Sequence, residues 1–165
     1  MKMQNTVQTY AWGSHTMLAE LIGLTSPSEV PQAELWMGAH PKAPSKVYCG
    51  DRWVRLDDII RANADAILGK AAARRYENSL PFLMKVLAAD QPLSVQAHPD
   101  KEQAQQGYAR EEAAGIDITA AHRNYRDPNH KPECLYALTP FVGLCGFRSI
   151  REMQSIMDGV WPVQY

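Results

Sequence analysis

The residues of this chain best suited to chemistry stand in Ser94-Val95-Gln96-Ala97-His98-Pro99-Asp100 and in Tyr125-Arg126-Asp127-Pro128-Asn129-His130-Lys131-Pro132-Glu133. In each stretch, groups able to bind a metal or move a proton are two positions apart, and alternate residues of an extended chain point to one side. Gln96 and His98 then project together from one strand, and Lys131 and Glu133 from another. Pro132 disfavours a helical conformation at Lys131, which supports that reading. Facing each other across a barrel interior, the four side chains make a metal site with a base or cation beside it.

An imidazole nitrogen and a carboxylate oxygen are ordinary zinc donors, and three protein ligands with one open position is the arrangement of catalytic zinc. Gln96 is a less common donor and a neutral one. With a single carboxylate in the set, the ion keeps a net positive charge, polarises a bound oxygen and attracts an anion. Oxygen donors also suit manganese, so the donor set leans toward zinc without fixing it. Read by spacing alone, the same residues describe two ordinary strand ends.

The wider wording adds to this. Tyr10-Ala11-Trp12-Gly13, the run from Ala33 to Pro41 (AELWMGAHP), Pro81-Phe82-Leu83-Met84-Lys85-Val86-Leu87 and, most specifically, Asn129-His130-Lys131-Pro132-Glu133 resemble the type I mannose-6-phosphate isomerases, zinc enzymes of the cupin superfamily. The resemblance runs from about Thr6 to the C-terminus. It implies that Gln96, His98 and Glu133 are ligands of one Zn²⁺, and that Lys85, Ser94, His130 and Lys131 line a sugar-phosphate pocket. It also implies a fourth ligand, a histidine, and a substrate-handling arginine from strands downstream of Tyr165. The expectation is therefore a fragment or truncated form in which the barrel and the metal site are incomplete.

The remaining sequence bounds the setting. A chain of 165 residues suits one domain with a core of its own. Its net charge of −1 and scattered basic residues argue against a nucleic-acid or membrane-surface partner. The start lacks an apolar leader, and no stretch approaches the ~18 apolar residues of a membrane span, which points to the cytoplasm. Cys49, Cys134 and Cys145 form no CxxC pair and read as packing residues in a reducing compartment.

The elements that must position these groups read as mainly β with inserted helices, and the resemblance implies a cupin-type jelly-roll barrel, incomplete in this chain. Extended segments are expected at Thr6 to Trp12, Glu34 to Ala39 and Lys46 to Tyr48, with a short helix near Met17 to Ile22. Leu56, Ile59, Ile60 and Ile67 mark a helix ended by Gly69, and Ala71 to Glu77 another. Phe82 to Ala88 reads as a buried strand interrupted by Lys85, and a strand ends at His98 because Pro99 lacks an N–H. Asp100 caps a helix over Lys101 to Ala114 that reads as a solvated connection, having few large apolar residues. Glu133 to Leu138 and Phe141 to Phe147 read as strands, and Ser149-Ile150-Arg151-Glu152 as a capping box. The resemblance implies domain boundaries at 1–147, the first part of a catalytic domain, and 148–165, the start of an inserted helical region.

Each sharp reading has a plain counterpart. Trp12, Trp36, Tyr10 and Tyr48 line a sugar pocket or simply pack among strands. Lys85 is an edge-strand charge or a pocket cation, and the resemblance favours contact with substrate. His15, His40 and His122 are not at ligand spacing with another donor and read as surface or hydrogen-bonded histidines. His130 is off the Lys131/Glu133 face, which suits orientation or substrate contact better than ligation. The Glu111–Glu112 pair reads as a solvated face. Two functions follow from the resemblance: interconversion of mannose 6-phosphate and fructose 6-phosphate, with Lys131, His130 and Lys85 as catalytic candidates and Ser94, Lys85 and Trp12 contacting substrate; or a non-catalytic metal-binding cupin module. By itself the chain is expected to be inactive as an isomerase, and to self-associate through an open sheet edge.

Overall fold

The computed structural model describes residues 2–160. The chain divides after Ser94 into two compact units. In the first, the elements in chain order are β1 (Met3–Gln4), β2 (Thr6–Gln8), α1 (Met17–Leu21), β3 (Glu34–Gly38), β4 (Lys46–Cys49), β5 (Arg52–Arg55), α2 (Leu56–Ala62), α3 (Ala64–Leu68), α4 (Lys70–Arg75) and β6 (Leu83–Leu87).

The strands form two antiparallel sheets, ordered β1-β4-β5 and β2-β3-β6. Only Asn5 separates β1 from β2, so the chain changes sheets there. Ser45 makes the matching corner between β3 and β4: its buried hydroxyl donates to Asn5 Oδ1 (2.8 Å) and accepts from the Gly38 amide (3.0 Å). Leu18 and Ala19 of α1 are buried, with Ala33 and Trp36 at β3, Val47 of β4 and Ile60 of α2. Asn63 breaks the helix expected to run on to Gly69, giving α2 and α3.

β5 was not foreseen from sequence. It pairs with β4 through a two-residue Gly50–Asp51 turn in which Gly50 has φ +68°, and glycine at the first turn position is the usual signature of such a hairpin. β6 forms where expected but is not a buried strand. Among the described residues it is the edge of its sheet, paired only to β3, and Phe82 and Met84 are more than half exposed.

In the second unit, Asp100 caps α5 (Lys101–Ala113), accepting from the Gln103 amide (2.8 Å) while Gln103 Oε1 accepts from the Asp100 amide (3.0 Å). Ser149 and Glu152 cap α6 (Ile150–Val160) by the same reciprocal scheme. The strands expected at Gln96 to His98, Glu133 to Leu138 and Phe141 to Phe147 are absent among the described residues. A strand exists through ladder bonds to a neighbour, and none of these segments has one there. Their apolar residues accordingly stay out: Tyr136 is 86%, Val142 97% and Leu144 90% exposed.

α5 departs from expectation in the opposite sense. It carries a packed face of Ala104, Gly107 and Glu111, at the three- and four-residue spacing of one helix side. Small residues serve here because an aromatic ring lies against them: a Cβ at position 107 would overlap the ring of Tyr125.

Candidate functional site

In the first unit the candidate cation Lys85 lies on β6, directly opposite Trp36 of β3. Glu34 is two residues before Trp36 and so shares its face of the strand. The Trp36 indole N–H donates to Glu34 Oε2 at 2.6 Å. Lys85 Nζ lies 3.5 Å from the same carboxylate and 5.0 Å from the centroid of the Trp36 ring, while the His40 ring meets Trp36 edge-on at 4.9 Å. Glu34 is only 7% exposed, so a carboxylate is held in the sheet by an ammonium and an indole N–H. Sequence reading passed over Glu34, although a Glu-x-Trp pair on a strand facing a lysine-bearing strand was available as a signal.

Trp12 is half-buried in the turn from Tyr10 to Gly13, which the Gly13 amide closes onto the Tyr10 carbonyl (2.9 Å). Its own carbonyl accepts from the amides of Asp90 (2.9 Å) and Gln91 (3.3 Å), and its ring lies 5.7 Å from that of Tyr10. Only glycine fits at position 13, where a Cβ would approach the Ala33 nitrogen to 2.6 Å. Ser94 is exposed at the end of this unit.

The second unit brings His98 and Glu133 together, with His98 Nε2 at 3.8 Å from Glu133 Oε2. Lys131 Nζ lies 3.6 Å from Glu133 Oε1, on the same side of the chain as the i, i+2 spacing requires. The three are open to solvent: the side chains of His98, Lys131 and Glu133 are 31%, 56% and 56% exposed. Gln96 and His130 are exposed as well. Among the described residues neither is hydrogen-bonded to the His98–Glu133 pair, and no three His, Cys, Asp or Glu side chains gather to hold a metal.

The packed face of α5 engages the loop that precedes Lys131 and Glu133 in sequence. Arg123, its side chain 1% exposed, lies 2.6 Å from Glu112 Oε1 and 3.5 Å from Glu111 Oε2, with its guanidinium 5.1 Å from the Tyr108 ring centroid. It also donates to the carbonyls of Ile116 and Tyr125. Glu111 accepts from the amides of Tyr125 (2.8 Å) and Asn124 (3.2 Å). The Tyr125 N–H, then Asn124 and the Arg123 charge, hold the Glu111 carboxyl below the usual glutamate range, outweighing the opposing effect of burial. Glu111 is thus buried rather than part of a solvated face, while Glu112 is half exposed and pairs with Arg123 from the rim. They clasp the loop that leads to Lys131 and Glu133, a role hidden in sequence because their arginine partner is eleven and twelve positions away.

Residues 1–150 match the family described as phosphomannose isomerase type I, catalytic domain. The chain is similar to the mannose-6-phosphate isomerase of Escherichia coli (strain K12), at 53% identity over 161 residues that make up 96% of this chain and 41% of the relative. It is similar to that of Homo sapiens at 39% identity over 170 residues, covering 96% of this chain and 37% of the relative. The crystal structure of mannose 6-phosphate isomerase from Salmonella typhimurium bound to its substrate, fructose 6-phosphate, and zinc superposes with a TM-score of 0.72 at 55% identity, over 79% of this chain and 33% of that one. The chain spans less than half the length of the curated relatives it matches. Its fold goes with these cupin-type isomerases: small antiparallel sheets with helices, and no closed barrel among the described residues.

Proposed function

The chain belongs to the phosphomannose isomerase type I family, and on that premise we propose that it serves the interconversion of mannose 6-phosphate and fructose 6-phosphate with zinc, in the cytoplasm, taking a sugar phosphate rather than a nucleic acid as its partner. In the described residues no helix is long and apolar enough to cross a membrane. The domain reading is part of the proposal: 1–147 belongs to the catalytic domain, and 148–165, of which 161–165 lie outside the described residues, begins an inserted helical region.

The observation that carries the proposal is the His98–Glu133 pair with Lys131 beside it. Ligands about 2.0–2.2 Å from a tetrahedral zinc stand roughly 3.4 Å apart. The 3.8 Å between His98 Nε2 and Glu133 Oε2 is close to that separation. The donor types fit, and Gln96 would add an amide oxygen from two residues before His98. Zinc, when bound, supplies a Lewis acid that stabilises negative charge on a substrate oxygen.

The chain's own residues do the rest. Aldose–ketose isomerisation removes the proton at C2 of mannose 6-phosphate, passes through an enediol, and returns a proton at C1 while the hydroxyl proton moves from O2 to O1. His130 and Lys131 are the groups proposed to move these protons. Lys85, held by Glu34 and Trp36, is proposed as a cation for the phosphate or a hydroxyl, and Ser94 and Trp12 as further substrate contacts. A second reading, a non-catalytic metal-binding module, is favoured by the absence of a third His, Cys, Asp or Glu donor among the described residues.

A coupled assay for fructose 6-phosphate separates the two, run on the zinc-loaded 165-residue chain and on the same chain joined to the downstream part of the Escherichia coli relative. The chimera should turn over, and the chain by itself should fall more than tenfold below it. In the chimera, Lys131→Met should lower kcat/KM by roughly a hundredfold or more, the scale of lost proton-transfer catalysis, with zinc content and Tm unchanged. A well-folded, zinc-bound chimera without isomerase activity would overturn the catalytic reading.

A further inference from the structure

We infer that Lys101 is a positioning residue for the His98–Glu133 pair, tying the start of α5 to the turn that leads into Glu133. The inference rests on reading those two side chains as metal ligands.

Lys101 Nζ donates to Asn129 Oδ1 at 2.9 Å and to the Pro128 carbonyl at 3.2 Å. Both ends of this tie are fixed locally. Asp100 caps α5 through its reciprocal bonds with Gln103, which sets Lys101 as the first helical residue. At the other end the Asn129 amide donates to Asp127 Oδ1 (2.9 Å), closing a side-chain turn around Pro128.

The two contacts cross in opposite chain order, 98 with 133 and 101 with 129. The stretches therefore pass antiparallel, and among the described residues no backbone ladder joins them. Side-chain rungs take the place of ladder bonds. From Lys101 back to His98, and from Asn129 on to Glu133, the chain is short enough that freeing the turn lets Glu133 move away from His98. A lysine suits the position because one ammonium can donate to a backbone carbonyl and a side-chain amide at once.

The plain alternative is an exposed lysine that trims the turn and affects nothing else. Zinc affinity of the full chain, measured by competition with a chromophoric chelator, decides between them, with Co²⁺ absorption bands reporting ligand geometry and metal-free Tm and helicity as controls. Partners that orient metal ligands typically contribute 10–100-fold to affinity, so Lys101→Met is expected to weaken zinc by roughly tenfold and to alter the Co²⁺ bands. Lys101→Arg should recover most of that loss, and metal-free Tm and helicity should hold.

Glu133→Ala serves as the control on the ligand reading. If Glu133→Ala loses zinc while Lys101→Met binds it within about twofold of the parent, the positioning role is overturned and the ligand reading stands. If Glu133→Ala binds zinc as the parent does, the ligand reading fails and the inference fails with it. Should Lys101→Met disturb α5, Asn129→Ala removes the acceptor without touching the helix, and unchanged zinc affinity in that variant overturns the inference.

Discussion

The Lys85 cluster of the first unit and the His98 cluster of the second use similar side chains in opposite ways. Glu34, Trp36 and Lys85 are on paired strands, and the carboxylate is 7% exposed and fully engaged. His98, Lys131 and Glu133 are on irregular segments, open to solvent, with N···O separations of 3.6 to 3.8 Å that are longer than hydrogen bonds. The difference separates a carboxylate that supports the fold from one available to a ligand. A buried charge must be satisfied within the protein, whereas an exposed carboxylate beside an imidazole keeps lone pairs to offer.

The contrast is challenged most strongly where the second unit is itself buried. Arg123→Met removes the partner of Glu111 and Glu112, and should lower Tm by on the order of 10 °C, as loss of one member of a buried pair does in a small unit. A shift within error would show that the clasp is incidental. Next in size is Glu133→Ala, expected to weaken zinc by more than roughly a hundredfold, beyond the loss from an outer-sphere partner, while Tm of the metal-free chain stays put. Stoichiometric zinc in that variant would end the assignment.

Glu34→Ala should do the reverse. It leaves the buried Trp36 N–H and Lys85 unanswered and should destabilise by about 1–3 kcal/mol, with zinc affinity untouched; denaturant midpoints and a zinc titration check both halves. Smallest is an acid effect on the Glu111 clasp. Because its folded-state carboxyl is held below the usual range, its contribution is complete above the unfolded value of about 4.3 and falls away as pH drops through the lower, folded value. Protection of the Asn124 and Tyr125 amides, taken relative to their unstructured exchange rates at each pH, should fall on that side only, and a Glu111→Gln chain should lack the pH step.

Sequence reading was strongest where local chemistry decides the outcome. Asp100 and Ser149 announced the starts of α5 and α6, and the extended segments expected at Glu34 to Ala39 and Lys46 to Tyr48 form as β3 and β4. It failed where the outcome depends on a partner. Glu133 to Leu138 and Phe141 to Phe147 have strand-like composition, yet a ladder needs a neighbour that composition does not name. The α5 face was missed for a related reason: a glycine under Tyr125 and a glutamate meeting Arg123 do not look like a core until the loop is laid over them. For the site, i, i+2 spacing placed Lys131 with Glu133 and set Gln96 and His98 as the facing pair, but spacing alone could not tell that facing arrangement from two unrelated strand ends, and the resemblance added the weight.

The Glu111 clasp also bears on the order in which the chain assembles. Its bond to the Tyr125 amide closes a span of 14 residues, whereas the Lys85–Glu34 contact closes one of 51. Loop-closure entropy rises by about 0.6 kcal/mol per doubling of length, so the clasp is the cheaper contact to close from an unfolded chain by roughly 1 kcal/mol. The approach to Lys131 and Glu133 can thus take shape early from local contacts, while the pairing of β3 with β6 waits on a longer search.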